Sequence, residues 1–319
     1  MAQGIQLSVP GKTFLVGEYL ALKGGPSVIL CTEPRFVLNL FPKKIKSDSP
    51  AIFHEASPAG KFMKDHALFF AHWDMEFHDP YGGIGGFGAS TAQFAMLYMA
   101  ELIMREGEIS SDKMNWGELL RDYHMYAYSG IGEPPSGADL IAQLTGSIVF
   151  FDGNKLDVQS NVWPFKEIGF LLFHTGNKLA THEHLKSKLE IPVDDLKASA
   201  LRATKALSSS DIDSLVSAVQ SYGETLQTCG FQAAESGAKL NWLRTTARTS
   251  SGQSPILSSK ACGAMGADVI AVVYKKSEEF TKAEDWRGWL GAKGNPKNLN
   301  LVASDEGISA GLRVEEIEK

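Results

Sequence analysis

The first forty residues carry four apolar or alternating runs: IQLSV (5–9), TFLVGEYLAL (13–22), SVILC (27–31) and FVLNLF (36–41). Pro10-Gly11 and Gly24-Gly25-Pro26 separate them, so the segment reads as strands and turns. Residues 60–78, GKFMKDHALFFAHWDMEFH, place apolar side chains at helical spacing. A glycine-rich stretch, YGGIGGFGASTAQFA (81–95), then passes into a helical pattern that runs to about Leu102, and a further helix is predicted over 115–128. GSIVFFDG (146–153) and EIGFLLFHTG (167–176) read as strands. A long helical stretch over 180–248 follows, with breaks near Ile191-Pro192, Ser208–Ser210 and Gly230. After a Ser/Gly/Pro-rich break at 249–255 the pattern predicts a strand at 268–274, a helix near 276–290 and two terminal strands. The texture changes near 155–165, which divides an α+β chain into an N-terminal lobe, 1–160, and a C-terminal lobe, 161–319.

Composition narrows the function classes. With 319 residues and 44% hydrophobic content, the chain has ample material for packed cores. Lysine and arginine number 31 against 37 acidic residues, and no basic block occurs, which argues against nucleic acid or an anionic membrane as partner. Cys31, Cys229 and Cys262 are odd in number and unpatterned, as expected of a reduced cytoplasmic protein. The pattern shows no apolar signal core and no run of membrane-spanning length.

Four stretches could carry chemistry, and each also has a plain structural reading. Five glycines between Gly82 and Gly88 let the backbone turn sharply and approach a ligand. The helix that follows offers free N–H groups and a positive dipole end to an anion, with Ser90 and Thr91 hydroxyls beside it. A simple turn capped by Ser90 fits the same residues. The loop lacks the Gly-Lys-Ser/Thr of a Walker A motif and the strand and acid of a dinucleotide fingerprint. In PGKTFLVGEYLALKGGP (10–26), Lys12 is either a solvated edge residue or a charge turned into a cleft. Asp139 follows a Pro-Pro-Ser-Gly turn at the start of an apolar helix, where an acid is favoured by the dipole alone. SSKACGAMGADVIAVVY (258–274) is a glycine-bearing loop that feeds a Val/Ile strand. The four histidines His72, His78, His182 and His184 read as surface or packing residues, because neighbours two apart on a helix point away from each other.

Taken together and in order, these stretches resemble the GHMP kinases, the superfamily of galactokinase, homoserine kinase, mevalonate kinase and phosphomevalonate kinase. PGKTFLVGEY is similar to the first family motif, GGFGASTA to the second and KACGAMGAD to the third. PSGAD (135–139) resembles the turn of mevalonate kinases, and FHTGNKLATHEHL (173–185) the segment that opens their second lobe. The resemblance covers nearly the whole chain. It implies a two-lobed fold, an N-terminal lobe like ribosomal protein S5 and a ferredoxin-like C-terminal lobe, with the active site in the cleft. It also implies ATP and Mg2+ as cofactors and phosphoryl transfer to a small molecule, a reaction won by positioning and charge neutralisation.

Residue by residue, the resemblance assigns Gly85, Gly86, Gly88, Ala89, Ser90 and Thr91 to the nucleotide, with Ser90 also as a metal ligand. Asp139 would accept or orient the acceptor's proton, and Lys12 would pair with it and neutralise charge on the moving phosphoryl group. Glu18, Tyr19, Ser136, Gly137, Gly263, Ala264 and Gly266 would line the acceptor side. Departures from the pattern are Met265 and Ala267 in place of third-motif glycines, Ala89 in place of a serine, and Tyr128 where mevalonate kinases carry a magnesium-binding glutamate; Glu133 is the nearest acid. Gly-Glu-Tyr at 17–19 and Asp268 resemble phosphomevalonate kinases, whereas the 135–139 turn is closer to mevalonate kinase. A phosphorylated acceptor calls for cations, and Lys178, Arg244, Arg248 and Lys260 are the candidates by position. The expected function is phosphomevalonate kinase, with mevalonate kinase as the alternative. A decarboxylase of the mevalonate diphosphate type and an inactive nucleotide- or metabolite-binding relative are the further ones. A homodimer is compatible with the sequence.

Overall fold

The computed structural model describes residues 3–43, 52–107, 114–176, 190–295 and 297–318, apart from the Ala264 side chain. Two long strands open the chain, β1 (Gln3–Val16) and β2 (Pro26–Pro42), joined through a short 3-10 turn at Ala21–Lys23. They replace the four expected strands. Pro10-Gly11 does not end β1, because the pairing shifts there: Pro10 faces Arg35 and Gly11 faces Thr32, leaving two extra residues in β2. Such a bulge absorbs the donor that proline lacks without breaking the ladder.

α1 (Pro58–Asp65) and α2 (Ala67–Phe70) come next. The helical pattern expected to 78 stops at Phe70, and β3 (Trp73–His78) pairs with β2 instead. Trp73, Met75 and Phe77 alternate with Asp74, Glu76 and His78, a period of two that suits a strand. His72 and His78 are exposed, as read from the sequence. α3 (Ala89–Glu106), α4 (Trp116–Ala127) and α5 (Ala138–Thr145) precede β4 (Ile148–Asp152) and β5 (Asp157–Asn161). Together with β10 (Arg313–Glu318), these strands form an antiparallel sheet in the order β10-β1-β2-β4-β5, with β3 also on β2.

The second sheet runs β7-β8-β6-β9, from β6 (Ile168–His174), β7 (Ile256–Cys262), β8 (Val269–Lys275) and β9 (Asn300–Ser304). Between β6 and β7 lie α6 (Val193–Ser209), α7 (Ile212–Thr228) and α8 (Ala234–Thr246), broken close to the predicted positions. α9 (Ala283–Ala292) starts later than expected, because Asp285 takes the Thr281 and Lys282 amides and fixes the helix start there. β7 escaped the sequence reading because its centre is Ser258, Ser259 and Lys260, polar residues that are nonetheless buried. β10 (Arg313–Glu318) leaves the second half and pairs with β1, so the division at residue 160 does not sort the strands by sheet. His182, His184, Lys178 and most of the 173–185 segment lie outside the described residues.

Cores form on both faces of the first sheet. Ile29 and Cys31 of β2 join Ala138, Ile141 and Ala142 of α5. Val28 and Leu30, pointing the other way, join a larger core built from α3, α6, α7 and strands of both sheets. A strand covered on both sides reads as an unbroken apolar run, which is what SVILC shows.

Candidate active site

Lys12 comes from the middle of β1 and is only 9% exposed. It is no solvated edge residue. Its Nζ lies 2.7 Å from Asp139 Oδ2, and Asp139, in the first turn of α5, keeps 27% of its side chain exposed. The bland reading of Asp139 as a helix-terminal acid is thereby supplemented: the dipole favours its charge and Lys12 pairs with it. Gly137 begins α5 with φ +70°, and a Cβ there would sit 2.1 Å from Leu120 Cδ2, so glycine is required. Ser136 Oγ accepts the Ala138 amide at 3.3 Å and thus shapes this turn.

The glycine loop reaches the same place. Gly88 is the first cap of α3, in the left-handed region at φ +87°, and no side chain caps the helix. Ser90 is exposed and makes no cap bond, so the plain reading of a Ser90-capped turn does not hold. A Cβ on Gly88 would stand 2.9 Å from Lys12 Cγ, and the Lys12 amide donates to Phe87 O at 3.0 Å. Thr91 turns inward, its hydroxyl bonded to Gly88 O and to Gln143 Oε1 at 2.7 Å, and is not offered to a ligand. Gln143 was missed by the sequence reading. Fully buried on α5, it donates to Pro10 O at 3.0 Å and Gly88 O at 3.2 Å, tying β1, the loop and α5 together. A lone amide inside LIAQLT was the available signal.

The third motif closes against the second. A Cβ on Gly86 would meet Val269 Cγ2 at 2.6 Å, and one on Gly85 the Asp268 carboxylate at 3.0 Å. A Cβ on Gly263 (φ +88°) would also meet Asp268, at 2.7 Å. Ala264–Gly266 form a 3-10 turn in which Met265 is left-handed, at φ +53°. Two residues of the first motif hold this region. Tyr19 Oη accepts the Met265 amide at 2.7 Å, and burial pushes the Tyr19 pKa up to about 12, keeping the phenol neutral. Glu18 and Lys260 form a buried ion pair of 2.6 Å across the two sheets. Lys260, the candidate for an acceptor phosphate, is thus engaged by Glu18.

The other cation candidates among the described residues, Arg244 and Arg248, are engaged too. Arg244 donates to Ser259 Oγ and O, at 2.8 and 2.6 Å, beside a polar cleft that includes Gln227, Gln232 and Asn241. Arg248 donates to the Arg244 and Ala247 carbonyls, both at 2.7 Å, at the end of α8. For a metal, the expected positions give little. The Tyr128 hydroxyl donates to Gly132 O at 2.9 Å, and Glu133 pairs with Lys23 at 2.5 Å on the surface. Among the described residues no group of three or more His, Cys, Asp or Glu could hold a metal ion. Mg2+ commonly keeps several waters and rides on substrate phosphates, and the donors among the described residues fit that mode, with Ser90 the exposed hydroxyl nearest the helix start. No helix among the described residues is long and apolar enough to cross a membrane.

The sequence matches no protein-family model and no curated protein. Its fold, however, is similar to solved structures over nearly its full length. Leishmania major mevalonate kinase, solved in complex with R-mevalonate, has 17% identity and a TM-score of 0.68, with 95% of each chain covered. Streptococcus pneumoniae phosphomevalonate kinase in complex with phosphomevalonate and AMPPNP has 13% identity and a TM-score of 0.68, covering 98% of this chain and 99% of that one. Lactococcus lactis galactokinase complexed with galactose has 11% identity and a TM-score of 0.68, covering 97% of this chain and 95% of that one. The likeness at this level of identity concerns the fold: the chain has the two-lobed α+β architecture of the GHMP kinases.

Proposed function

We propose that the protein is an ATP-dependent small-molecule kinase of the GHMP type, acting on a mevalonate compound. The observation that carries this reading is the Lys12–Asp139 pair at 2.7 Å, set beside the uncapped, glycine-led start of α3. The free N–H groups at that helix start suit the phosphates of a nucleotide. Asp139, partly exposed, can take or orient the proton of an acceptor hydroxyl, and Lys12 neutralises charge that builds on the phosphoryl group in flight. Mg2+, brought by the nucleotide, supplies further neutralisation of phosphate charge.

For the acceptor, Tyr19 and Asp268 support 5-phosphomevalonate, because both belong to the motif variants that resemble phosphomevalonate kinases. The engagement of Arg244, Arg248 and Lys260 supports mevalonate as the second reading, since a phosphate group on the acceptor needs a cation to meet it. The test is an ATP-consumption screen against mevalonate, 5-phosphomevalonate, homoserine and galactose, with product mass measured. Turnover with one of the two mevalonate compounds is expected. Robust activity confined to the sugar or the amino acid removes the mevalonate reading. Release of CO2 alongside ATP use points to a decarboxylase, and nucleotide binding without turnover to an inactive relative.

A further inference from the structure

His174, the last residue of β6, is buried to 5% exposure, and its Nδ1 accepts the Gly176 amide at 3.0 Å. An acceptor Nδ1 puts the proton of a neutral ring on Nε2. Burial, and then the Lys239 charge, holds the imidazole below its ordinary pKa, which keeps it neutral. Nε2–H is therefore a buried donor with no hydrogen-bond partner among the described residues. Such an orphan is costly and calls for an explanation, which a partner arriving with a ligand supplies.

Its position suits one. Phe170 and Leu172 of β6 face the larger core, and alternation puts His174 on the same face. The imidazole lies 6.4 Å from the ring of Phe87, whose carbonyl takes the Lys12 amide and whose next residue is Gly88. Across the ladder His174 pairs with Val269, against which Gly86 is pressed. His174 thus sits where the second- and third-motif loops meet, on the inner side of the glycine loop. Gly82, Gly83 and Ser90, in contrast, face solvent, where a nucleotide has its access.

We propose that the His174 Nε2–H donates a hydrogen bond to the phosphoryl acceptor, on the carboxylate oxygen of a mevalonate compound bound beside the junction of the two loops. This rests on the kinase reading given above. His174→Asn leaves an amide oxygen for the Gly176 N–H and removes the distal donor, whereas His174→Gln can place an amide N–H near the former Nε2. Calorimetry with R-mevalonate, 5-phosphomevalonate and MgAMPPNP, each titrated into the full chain, separates the cases. His174→Asn is expected to raise the Kd of the acceptor at least tenfold while the MgAMPPNP Kd stays within about twofold, and His174→Gln to recover most of the loss. Unchanged acceptor affinity in His174→Asn, a loss confined to MgAMPPNP, or no recovery in His174→Gln overturns the inference alone. Wild-type chain that binds neither mevalonate compound removes the kinase reading and this inference with it.

Discussion

Asp139→Asn is nearly isosteric and leaves α5 its start, so the fold should survive while the charge and the proton acceptor vanish. If Asp139 works at the reacting centre, kcat falls about two to four orders of magnitude, the range for a general base, with nucleotide Kd little changed. Lys12→Met should also cut kcat sharply, and the double variant should lose less than the two effects summed, because the residues are in contact at 2.7 Å. Near-wild-type kcat in Asp139→Asn ends the catalytic reading. Met265 offers a test of the opposite sign. A non-glycine residue in the left-handed region costs about 1–2 kcal/mol, part of which glycine returns through its freer unfolded chain. Met265→Gly should therefore stabilise by about 0.5–1 kcal/mol in thermal unfolding; a lower Tm would mean that the side chain's packing outweighs its strain. The residues proposed to carry chemistry stood out in the sequence because each sits in a motif of unusual types. Gln143 did not, and His174, although inside the 173–185 segment, drew no role of its own, because one polar residue after or inside an apolar run looks alike whether it braces a loop or meets a ligand.

At the scale of elements, α3 and its glycine lead form the part most open to test. The Cβ of any residue at 88 would point at Lys12 and Gln143 rather than outward, and would hold a left-handed φ. Gly88→Val is thus expected to destabilise by about 2–4 kcal/mol, combining the backbone penalty with overpacking, and to displace Lys12. Both Tm and MgATP affinity should fall; wild-type affinity in a normally folded Gly88→Val chain would reduce the loop to a turn. Ser90→Ala removes an exposed hydroxyl that caps nothing, so Tm should hold while MgATP Kd rises about two- to tenfold, the worth of one hydrogen bond. An unchanged Kd would take Ser90 out of the site. Element types were largely readable, since α3 to α8 and the apolar strands follow their periods. What the pattern hid were β3, whose alternation continued a helical run, and β7 and β5, whose polar residues are set by ladder neighbours far away in sequence.

At the scale of the whole molecule, β10 returns to the first sheet and covers the edge of β1. Arg35, in β2, donates to Ser8 Oγ and O and to Ser309 Oγ, Ala310 O and Gly311 O, so one buried guanidinium fastens the segment before β10 to the first sheet. Arg35→Met leaves those acceptors without their donor and should cost on the order of 3 kcal/mol or more; urea unfolding would show it, and a loss below about 0.5 kcal/mol would mean that the clasp is redundant. No local pattern announces this return, because the pairing of Gln3 with Glu318 is a fact of topology. It also bears on how the chain is made. On a ribosome, β1 emerges long before β10, and its outer edge stays unpaired until β10 has been made. The nascent N-terminal half must therefore wait with an open edge, the kind of surface that recruits other strands. A gene rearranged so that codons 313–318 precede codon 3 would let that edge close soon after β1 is made, and should raise the soluble yield of the newly synthesised protein.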